Sequence, residues 1–293
     1  MPKRPALREE LLLALNGTPD GTAPWLLAIA DGDDAGYFAP DGPAWTVHSG
    51  MGTLVAGIRA LLMQALHPGA MAGVHDWSRY QEDPLGRLIG TVRWVVVTTY
   101  GSTEHARRET ARVSRFHERV RGEYTTNDGE RRSYSADDAD LVEWVHLAFT
   151  DAFLGCHLEW GGPIPGGADG YVADWATAGE LMGVADPPRS EAELRRRLAA
   201  FLPHLRRDDR VDSVVRFLRR PGLSPRIDRV YGLLFASAVA SLPPEFRRLL
   251  GLRRSVLPVK LLTRAALVVA ERALSGGPRA QDYARERIAR VRG

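Results

Sequence analysis

Helical segments separated by glycine and proline run through almost the entire sequence, and alternating strand-like runs are missing almost everywhere. Apolar residues that recur every three or four positions predict helices, and proline and glycine mark where a helix starts or stops. These signals predict helices at about 6–16, 53–66, 84–99, 103–121, 136–156, 170–183, 190–203, 208–220, 226–241, 244–251, 257–274 and 278–291. The longer connections expected between them are an extended, loop-like stretch at 17–50, a bent helix with a turn at 69–84 and a polar loop at 122–136. The predicted fold class is all-α, a helical bundle.

Composition divides the chain into three parts. Residues 1–39 hold the first helix and an extended arm rich in glycine, proline and aspartate. Residues 40–160 form the helical core, and residues 161–293 form a C-terminal helical part packed on it. The segment GGPIPGG, at 161–167, is the clearest helix breaker and marks the joint. Because 293 residues with 44% hydrophobic content can bury a substantial core, one continuous domain is expected.

Cysteine usage and hydropathy limit the class of protein. The single cysteine, Cys156, excludes an internal disulfide framework and a cysteine-based zinc site, and it suits a reducing compartment. No stretch reaches the roughly 18 uninterrupted apolar residues that a membrane span needs. The N-terminal segment lacks the small-residue cleavage site of a secretion signal and is predicted to be an amphipathic helix. We expect a cytoplasmic protein with no membrane span.

Charge is distributed unevenly along the chain. From Arg189 onward there are 24 basic and 10 acidic residues, although the whole chain has a formal net charge of only +3. A basic half can mark binding to nucleic acid or to a membrane surface. Here the arginines are spread over several helices and mixed with carboxylates, without a tight cluster or interleaved aromatic residues. This pattern favours a solvated face, and no nucleic-acid partner is expected.

His117 lies on an apolar stripe of the helix predicted at 103–121. The stripe is formed by Ala106, Thr110, Val113, His117 and Val120. A neutral imidazole on an apolar wall is what a proximal haem ligand requires, because the ring nitrogen must be free and the wall must accept a porphyrin. A core histidine that is hydrogen-bonded to a carbonyl gives the same pattern, and spacing alone favours that alternative.

Arg87 and Thr91 lie one helical turn apart, followed by a predicted apolar face of Trp94, Val95 and Thr98. An arginine beside an apolar helix face can pair with a haem propionate, because it stays charged and offers a fork of hydrogen-bond donors. The alternative is an ordinary salt bridge with Glu82 or Asp83, and the residues alone favour it.

Two further histidines are candidates. Glu143 and His146 have the Glu-x-x-His spacing of di-iron helical bundles, but such sites need a second copy, which the sequence lacks. His146 is therefore by default a buried structural histidine, and we keep it as a further cofactor-binding candidate. His75 precedes Asp76, and this pair is either an acid–base pair with a catalytic role or a helix cap; the sequence leaves both open.

Taken together, these segments resemble the family of haem-dependent oxygenases that includes MpaB and latex-clearing protein (rubber oxygenase). The likeness is carried, in order, by LLMQALHPGAMAGVHDWSRYQEDPLGRLIGT, TTYGSTEHARR, VSRFHERVRG, YSADDADLVEWVH, AGELMGV and LPPEFRRLLGLRR, over roughly residues 40–255. The resemblance implies an all-helical fold with a globin-like core that holds haem b. It also implies that His117 is the proximal iron ligand and that Arg87 and Thr91 retain the haem.

The chain departs from rubber oxygenase at two positions. In rubber oxygenase a lysine directly precedes the threonine, whereas Gly90 precedes Thr91 here. The counterpart of an upstream glutamate of rubber oxygenase falls near Met71, where this chain has no carboxylate. Cleavage of polyisoprene is therefore not expected, and a base would have to come from residues such as His75, Asp76 or Glu82. The resemblance predicts a haem b oxidoreductase that uses O₂ on an apolar or isoprenoid-like small molecule, with an unidentified electron donor. The alternative is a haem-binding sensor or carrier without turnover.

Overall fold

The computed structural model describes residues 7–77, 82–222 and 225–293, with the backbone alone for residues 7, 84, 85 and 225–227. These ranges contain fifteen α-helices: α1 (Leu7–Asn16), α2 (Pro24–Leu27), α3 (Pro43–Ser49), α4 (Thr53–Gln64), α5 (Pro68–Trp77), α6 (Pro84–Tyr100), α7 (Thr103–His117), α8 (Ala139–Trp160), α9 (Gly167–Leu181), α10 (Glu191–Phe201), α11 (Asp209–Arg219), α12 (Pro225–Ser241), α13 (Pro244–Leu249), α14 (Val259–Leu274) and α15 (Ala280–Arg292). The same ranges hold one antiparallel pair of strands, β1 (Arg121–Thr125) and β2 (Arg131–Ser135), and 3₁₀ turns at Ala28–Ala30 and Leu202–His204. The all-α prediction is confirmed, with this small sheet as an addition.

Local capping chemistry places α6 and α7. The Asp83 carboxylate accepts a hydrogen bond from the Gly86 amide at 2.9 Å, and Pro84 begins the helix. Gly101 ends α6, and the Ser102 hydroxyl accepts from the His105 amide at 3.3 Å to cap α7. With two residues between them, α6 and α7 form a helical hairpin, so the end of α7 lies beside the start of α6. Both helix starts were predicted from the sequence.

The polar loop predicted at 122–136 is wrong, because these residues form most of a β-hairpin. Helix α7 ends at His117, four residues earlier than predicted, and strand β1 begins at Arg121. The strands are rich in charged residues, and each buries only one side chain, Tyr124 in β1 and Tyr134 in β2. Such strands lack the apolar alternation by which a sequence reveals them.

The extended arm predicted at 17–50 contains helices α2 and α3 and a 3₁₀ turn, so the prediction of a loop is wrong at 24–30 and 43–49, while most of the remaining residues are irregular. The buried side chain of Arg287 holds part of this arm in place. This arginine, on α15, donates to the carbonyl oxygen atoms of Ile29, of Asp34 (3.0 Å) and of Tyr100 (2.9 Å). The C-terminal helix thereby ties the arm to the core. For the bent helix and turn predicted at 69–84, the structure shows helix α5, and residues 78–81 lie outside the described part of the chain.

Helices α4 and α8 pack along each other at the centre of the molecule, and α12 packs against α4. Helix α8 is apolar on most of its circumference, which is typical of a helix surrounded by others. Buried apolar residues from Ala23 to Ile288 form a single core cluster. Among the described residues, no helix is long and apolar enough to cross a membrane.

Candidate functional site

A cavity of about 450 Å³ lies beside the α4–α8 core, between helices α1, α4, α6, α12 and α14. This volume is within the range of small-molecule sites, roughly 300–1,000 Å³. Apolar side chains form most of its wall, and the polar exceptions are His48, Thr53, Gln64, Arg87, Thr91 and Tyr231. None of the described residues that line the cavity carries a carboxylate. The site is therefore suited to a largely apolar ligand with few polar groups.

Helix α6 provides one wall of this cavity. Its contributing residues recur at helical spacing: Arg87, Leu88, Thr91, Val92, Val95 and Val96. The predicted partnership of Arg87 and Thr91 on one face is therefore present in the structure. The predicted continuation of that face is only partly right: Val95 lies on it, but Trp94 turns toward α7, where its Nε1 donates to Thr110 Oγ1 at 3.4 Å. Thr98 is fully buried away from the cavity.

Arg87 carries the positive charge of the cavity. Its side chain is accessible at the cavity surface, and the surrounding protein lowers the pKa of the guanidinium through burial. Within the described ranges, no carboxylate lies within ion-pair distance of it. Asp83, one of the two salt-bridge partners considered from the sequence, instead caps α6. An arginine at the surface of an apolar cavity without a protein carboxylate beside it offers its guanidinium to an anionic ligand.

Thr91 lies half-buried one turn after Arg87. Its Oγ1 donates to the Arg87 carbonyl oxygen at 3.2 Å, which is the usual back-bond of a threonine inside a helix. The hydroxyl proton is therefore used by the helix, and the oxygen lone pairs are left to accept a hydrogen bond from a ligand.

His117 is the last residue of α7 and lies near the Arg87 end of α6. The side chain is 27% exposed, and its Nδ1 is buried without a hydrogen bond, 3.5 Å from Asp137 Oδ1. Burial lowers the pKa of the ring, the nearby Asp137 carboxylate raises it, and the Arg87 charge lowers it. Because Nδ1 is directed at a carboxylate, Nε2 is the ring nitrogen whose lone pair is left to coordinate a metal. The ring is not among the residues that line the cavity.

The stripe on α7 that carries His117 is buried in part. Ala106, Thr110 and Val120 are buried, whereas Val113 and His117 are half-buried. The alternative interpretation, a core histidine, requires a main-chain carbonyl that accepts a hydrogen bond from the His117 ring. Within the described residues the ring forms no such bond. The role of His117 in ligation stays a prediction.

His48, which the sequence did not single out, lies at the opposite end of the α6 wall. Thr99 Oγ1 donates to the Val95 carbonyl at 2.7 Å and therefore accepts from His48 Nδ1–H, also at 2.7 Å. Tyr171 OH then donates to His48 Nε2 at 3.0 Å. Burial lowers the pKa of His48 to about 3, so the ring is neutral. Both ring nitrogens are engaged, and His48 forms a closed polar end of the cavity.

His75 and Asp76 lie together on the exposed end of α5. His75 Nδ1 is 3.1 Å from Asp76 Oδ1, and the Asp76 carboxylate is 3.3 Å from Arg210. Neither residue lines the cavity, although Val74 beside them does. Their catalytic role stays a prediction.

His146 is buried inside the bundle and does not line the cavity. Its ring packs against Gly179 of α9, where an added Cβ would approach it to 2.8 Å. Burial lowers its pKa to about 4, and its Nε2 has no hydrogen-bond partner in the described ranges. Glu143 forms an ion pair with Arg197 at 3.1 Å, so it does not face His146 as a second metal ligand. A cofactor-binding role of His146 is untested by this placement.

Comparison with known protein families finds a match over most of the chain. The family model described as "ER-bound oxygenase mpaB/B'/Rubber oxygenase, catalytic domain" matches residues 45–271, about three quarters of the chain and every helix that lines the cavity except α1. No curated protein and no solved structure matches the chain. The matched range includes Arg87, Thr91 and His117. The chain therefore belongs to the oxygenase family of the MpaB and rubber oxygenase catalytic domains.

Proposed function

We propose that the protein binds haem b in this cavity and catalyses an O₂-dependent oxidation of an apolar small molecule. The observation that carries the proposal is the Arg87 guanidinium, which lies in an apolar wall without a carboxylate partner among the described residues. A flat apolar cofactor with acidic substituents at its edge meets both requirements. Its ring system would replace water at the wall, and a propionate would neutralise the arginine.

The residues present fit such a group at three points. Arg87 is available for a propionate, and the Thr91 oxygen can accept a hydrogen bond beside it. Gly57, on α4, lines the cavity, and an added Cβ there would meet no atom within 4 Å, so this face of the helix leaves room for a ring system. His117 does not line the cavity, but it lies near the Arg87 end of α6 and would supply Nε2 as the one protein ligand that haem iron needs, with Asp137 at its other nitrogen.

A bare metal ion is less well served by the chain. In the part of the chain that the structure describes, no three or more histidine, cysteine, aspartate or glutamate side chains are grouped so as to hold one. A cofactor that brings most of its own ligands needs a single side chain from the protein. The fit therefore favours haem over a di-iron or zinc centre.

The protein's own residues prepare the site in separate ways. The apolar walls exclude water, which strengthens every electrostatic contact inside the cavity. Arg87 would hold the acidic edge of the cofactor, and Asp137, 3.5 Å from His117 Nδ1, would orient the ring so that Nε2 is directed away from the carboxylate. When bound, haem b would supply a redox-active iron at which O₂ can react. An apolar substrate is expected because, among the described residues that line the cavity, His48 is the one imidazole and both of its nitrogens are already engaged.

A second function is a haem-binding sensor or carrier without turnover. One observation favours it. The counterpart of the rubber oxygenase glutamate falls near Met71, which is buried and lines the cavity, and in the part of the wall that the structure describes no residue carries a carboxylate. A reaction that needs a carboxylate base in the cavity would therefore lack one. The two functions differ in whether O₂ is consumed.

The test is reconstitution of the purified protein with haemin, followed by absorption spectra of the oxidised and reduced forms. We expect a stoichiometric Soret band in the wild type and its loss or a changed ligand signature in His117→Ala. The control His75→Ala, at an exposed histidine, is expected to match the wild type. A His117→Ala protein with unchanged spectra and full occupancy would exclude His117 as the ligand, and a colourless wild type would exclude haem binding.

Turnover is measured by oxygen consumption with a panel of apolar substrates. Insertion of one oxygen atom needs two electrons from a donor, whereas insertion of both atoms needs none, so the assay is run with and without a reductant. Steady O₂ uptake that depends on the substrate supports the oxygenase. A haem-loaded protein that takes up no O₂ under either condition supports the sensor or carrier.

A further inference from the structure

Helix α14 and the loop before it present an apolar surface to solvent. Leu261 is 68% exposed and Val269 is 54% exposed on the helix, and Leu257 is 62% exposed in the loop. Leu262, Val268 and the loop residue Val256 are exposed as well. Single exposed apolar residues are common, but a contiguous set on one helix and its leading loop marks an interaction surface. We call these six residues the α14 surface.

The geometry of the helix collects these side chains on one side. At 100° per residue, Leu261, Leu262, Val268 and Val269 fall within an arc of about 120°. The opposite side is buried and consists of Val259, Thr263 and Leu267. Lys260 and Arg264 lie between the two, at one flank of the outer arc. The helix is thus largely apolar both toward the protein and away from it. Lys260 and Arg264 lie along one border, and Arg272, near the C-terminal end of the helix, lies within the outer arc.

The segment that carries the α14 surface is basic. Residues 252–274 include Arg253, Arg254, Lys260, Arg264 and Arg272 and a single acidic residue, Glu271. Lys260 pairs with Glu159 of α8, and Arg264 donates to the Glu159 carbonyl at 3.1 Å, which fixes the helix on the core. Arg253 and Arg254 are exposed, and neither forms an ion pair with a described residue. Apolar side chains flanked by unpaired cations complement an anionic lipid surface.

The α14 surface continues into the cavity. Val269 belongs to both, because it is exposed and also lines the cavity, and the next positions around the helix, Ala266 and Ala270, line it too. Val230 of α12 is likewise exposed and lines the cavity. The cavity wall and the outer apolar face are therefore parts of one continuous surface along α14.

We propose that the α14 surface docks the protein on an anionic lipid membrane, with Val256 and Leu257 inserted between the headgroups. The unpaired Arg253 and Arg254 side chains would reach the phosphates while their aliphatic stems cover apolar surface. On the proposed function, an apolar substrate dissolved in the bilayer would then enter the cavity along α14 without crossing water. A second copy of the chain is a poorer occupant, because a two-fold contact brings identical basic segments together.

Membrane docking is tested by sedimentation of the full-length protein, purified without added haem, with vesicles of phosphatidylcholine or of phosphatidylcholine mixed with phosphatidylglycerol. We expect binding to the anionic vesicles and at least a tenfold weaker association for the Val256→Asn, Leu257→Asn double variant, which changes no charge. The control is Val291→Asn, at an exposed valine on α15, and it is expected to bind like the wild type. The Arg253→Gln, Arg254→Gln variant and high salt are each expected to weaken binding to anionic vesicles.

Three results would overturn the proposal: no binding by the wild type, equal binding by the double variant, or a dimer in the absence of vesicles that the double variant abolishes. The last result would identify the surface as a contact between two copies. Circular dichroism checks that each variant is folded, and the altered loop side chains are exposed. Because haem uptake is measured separately, failure of docking and failure of the proposed function give different patterns.

Discussion

The two ends of the α6 wall contrast in how their polar groups are satisfied. At the end near Thr99, the chain of hydrogen bonds from Tyr171 through His48 to Thr99 is closed, and every polar atom in it has a partner. At the other end, about 18 Å along the helix, Arg87 has no counter-ion within the described residues. His117 beside it has a buried Nδ1 without a hydrogen bond.

This difference separates residues that the fold requires from residues that a ligand would complete. The unpaired Nδ1 of His117 needs an explanation, because buried polar groups in folded proteins are nearly always paired. Arg287 and Arg87 show the contrast in one residue type. Arg287 is fully buried and donates to several main-chain carbonyls, whereas Arg87 faces the cavity. Substitutions at the two ends should therefore affect stability and ligand binding in opposite proportions.

The largest effect is expected from comparing Arg287→Met with Arg87→Met. Loss of Arg287 leaves several buried carbonyls without donors, so the free energy of unfolding should fall by about 3 kcal/mol or more. Loss of Arg87 removes a partly desolvated charge without a partner, so the unfolding free energy should change by less than about 1 kcal/mol while haem affinity falls. Denaturant unfolding and haemin titration measure the two quantities. A comparable loss of unfolding free energy in both variants would contradict the contrast between the two arginines.

Asp137→Asn tests the Arg87 end next. The carboxylate lies 3.5 Å from His117 Nδ1, where it would orient the ring and raise its basicity. Loss of such a partner of a metal-bound histidine lowers affinity or activity by roughly 10–100-fold. We expect this loss in haemin affinity with little change in unfolding, because Asp137 is exposed. Unchanged haemin affinity would show that the carboxylate has no part in ligation.

At the Thr99 end, the buried His48 should make the free energy of unfolding depend on pH. The pKa of His48 is lowered to about 3 by burial, whereas an unfolded chain binds this proton near pH 6.5. Between these values the unfolded state holds one more proton, so the stability present above pH 6.5 is lost as the pH falls toward 3. His48→Gln should reduce the slope of unfolding free energy by up to about 1.4 kcal/mol per pH unit between pH 4 and 6. Parallel curves for the two proteins would contradict a buried neutral His48.

The parts of the fold that depend on local signals could be predicted from the sequence. Asp83 with Pro84, and Ser102 after Gly101, mark helix starts because capping is a short-range hydrogen bond. The hairpin of β1 and β2 could not be predicted in this way, because each strand buries a single tyrosine and the rest of its pattern is polar. Its stability comes from tertiary contacts that a local pattern does not encode.

The candidate site was predictable only where its residues share one helix. Arg87 and Thr91 are one turn apart, so their common face follows from helical geometry. His48 meets Thr99 across 51 positions of sequence, and Asp137 approaches His117 from beyond the hairpin. No spacing rule joins such pairs, and the sequence therefore missed both His48 and Asp137. The basic C-terminal half was interpreted as a solvated face, whereas on α14 it accompanies an exposed apolar surface.

The smallest effect is expected from substitutions of two glycines on different helices. They test whether a ligand occupies the space beside α4. An added Cβ at Gly57 or at Gly232 of α12 meets no atom within 4 Å, but only Gly57 lines the cavity. Replacing a helical glycine by a better helix former raises the unfolding free energy by about 1 kcal/mol, so Gly57→Leu and Gly232→Ala should both be more stable than the wild type. Gly57→Leu should also lose haemin binding, because its side chain occupies the cavity, whereas Gly232→Ala should keep it. A Gly57→Leu protein that is stabilised and still binds haemin fully would place the ligand elsewhere, since the same substitution improves the helix and fills the proposed site.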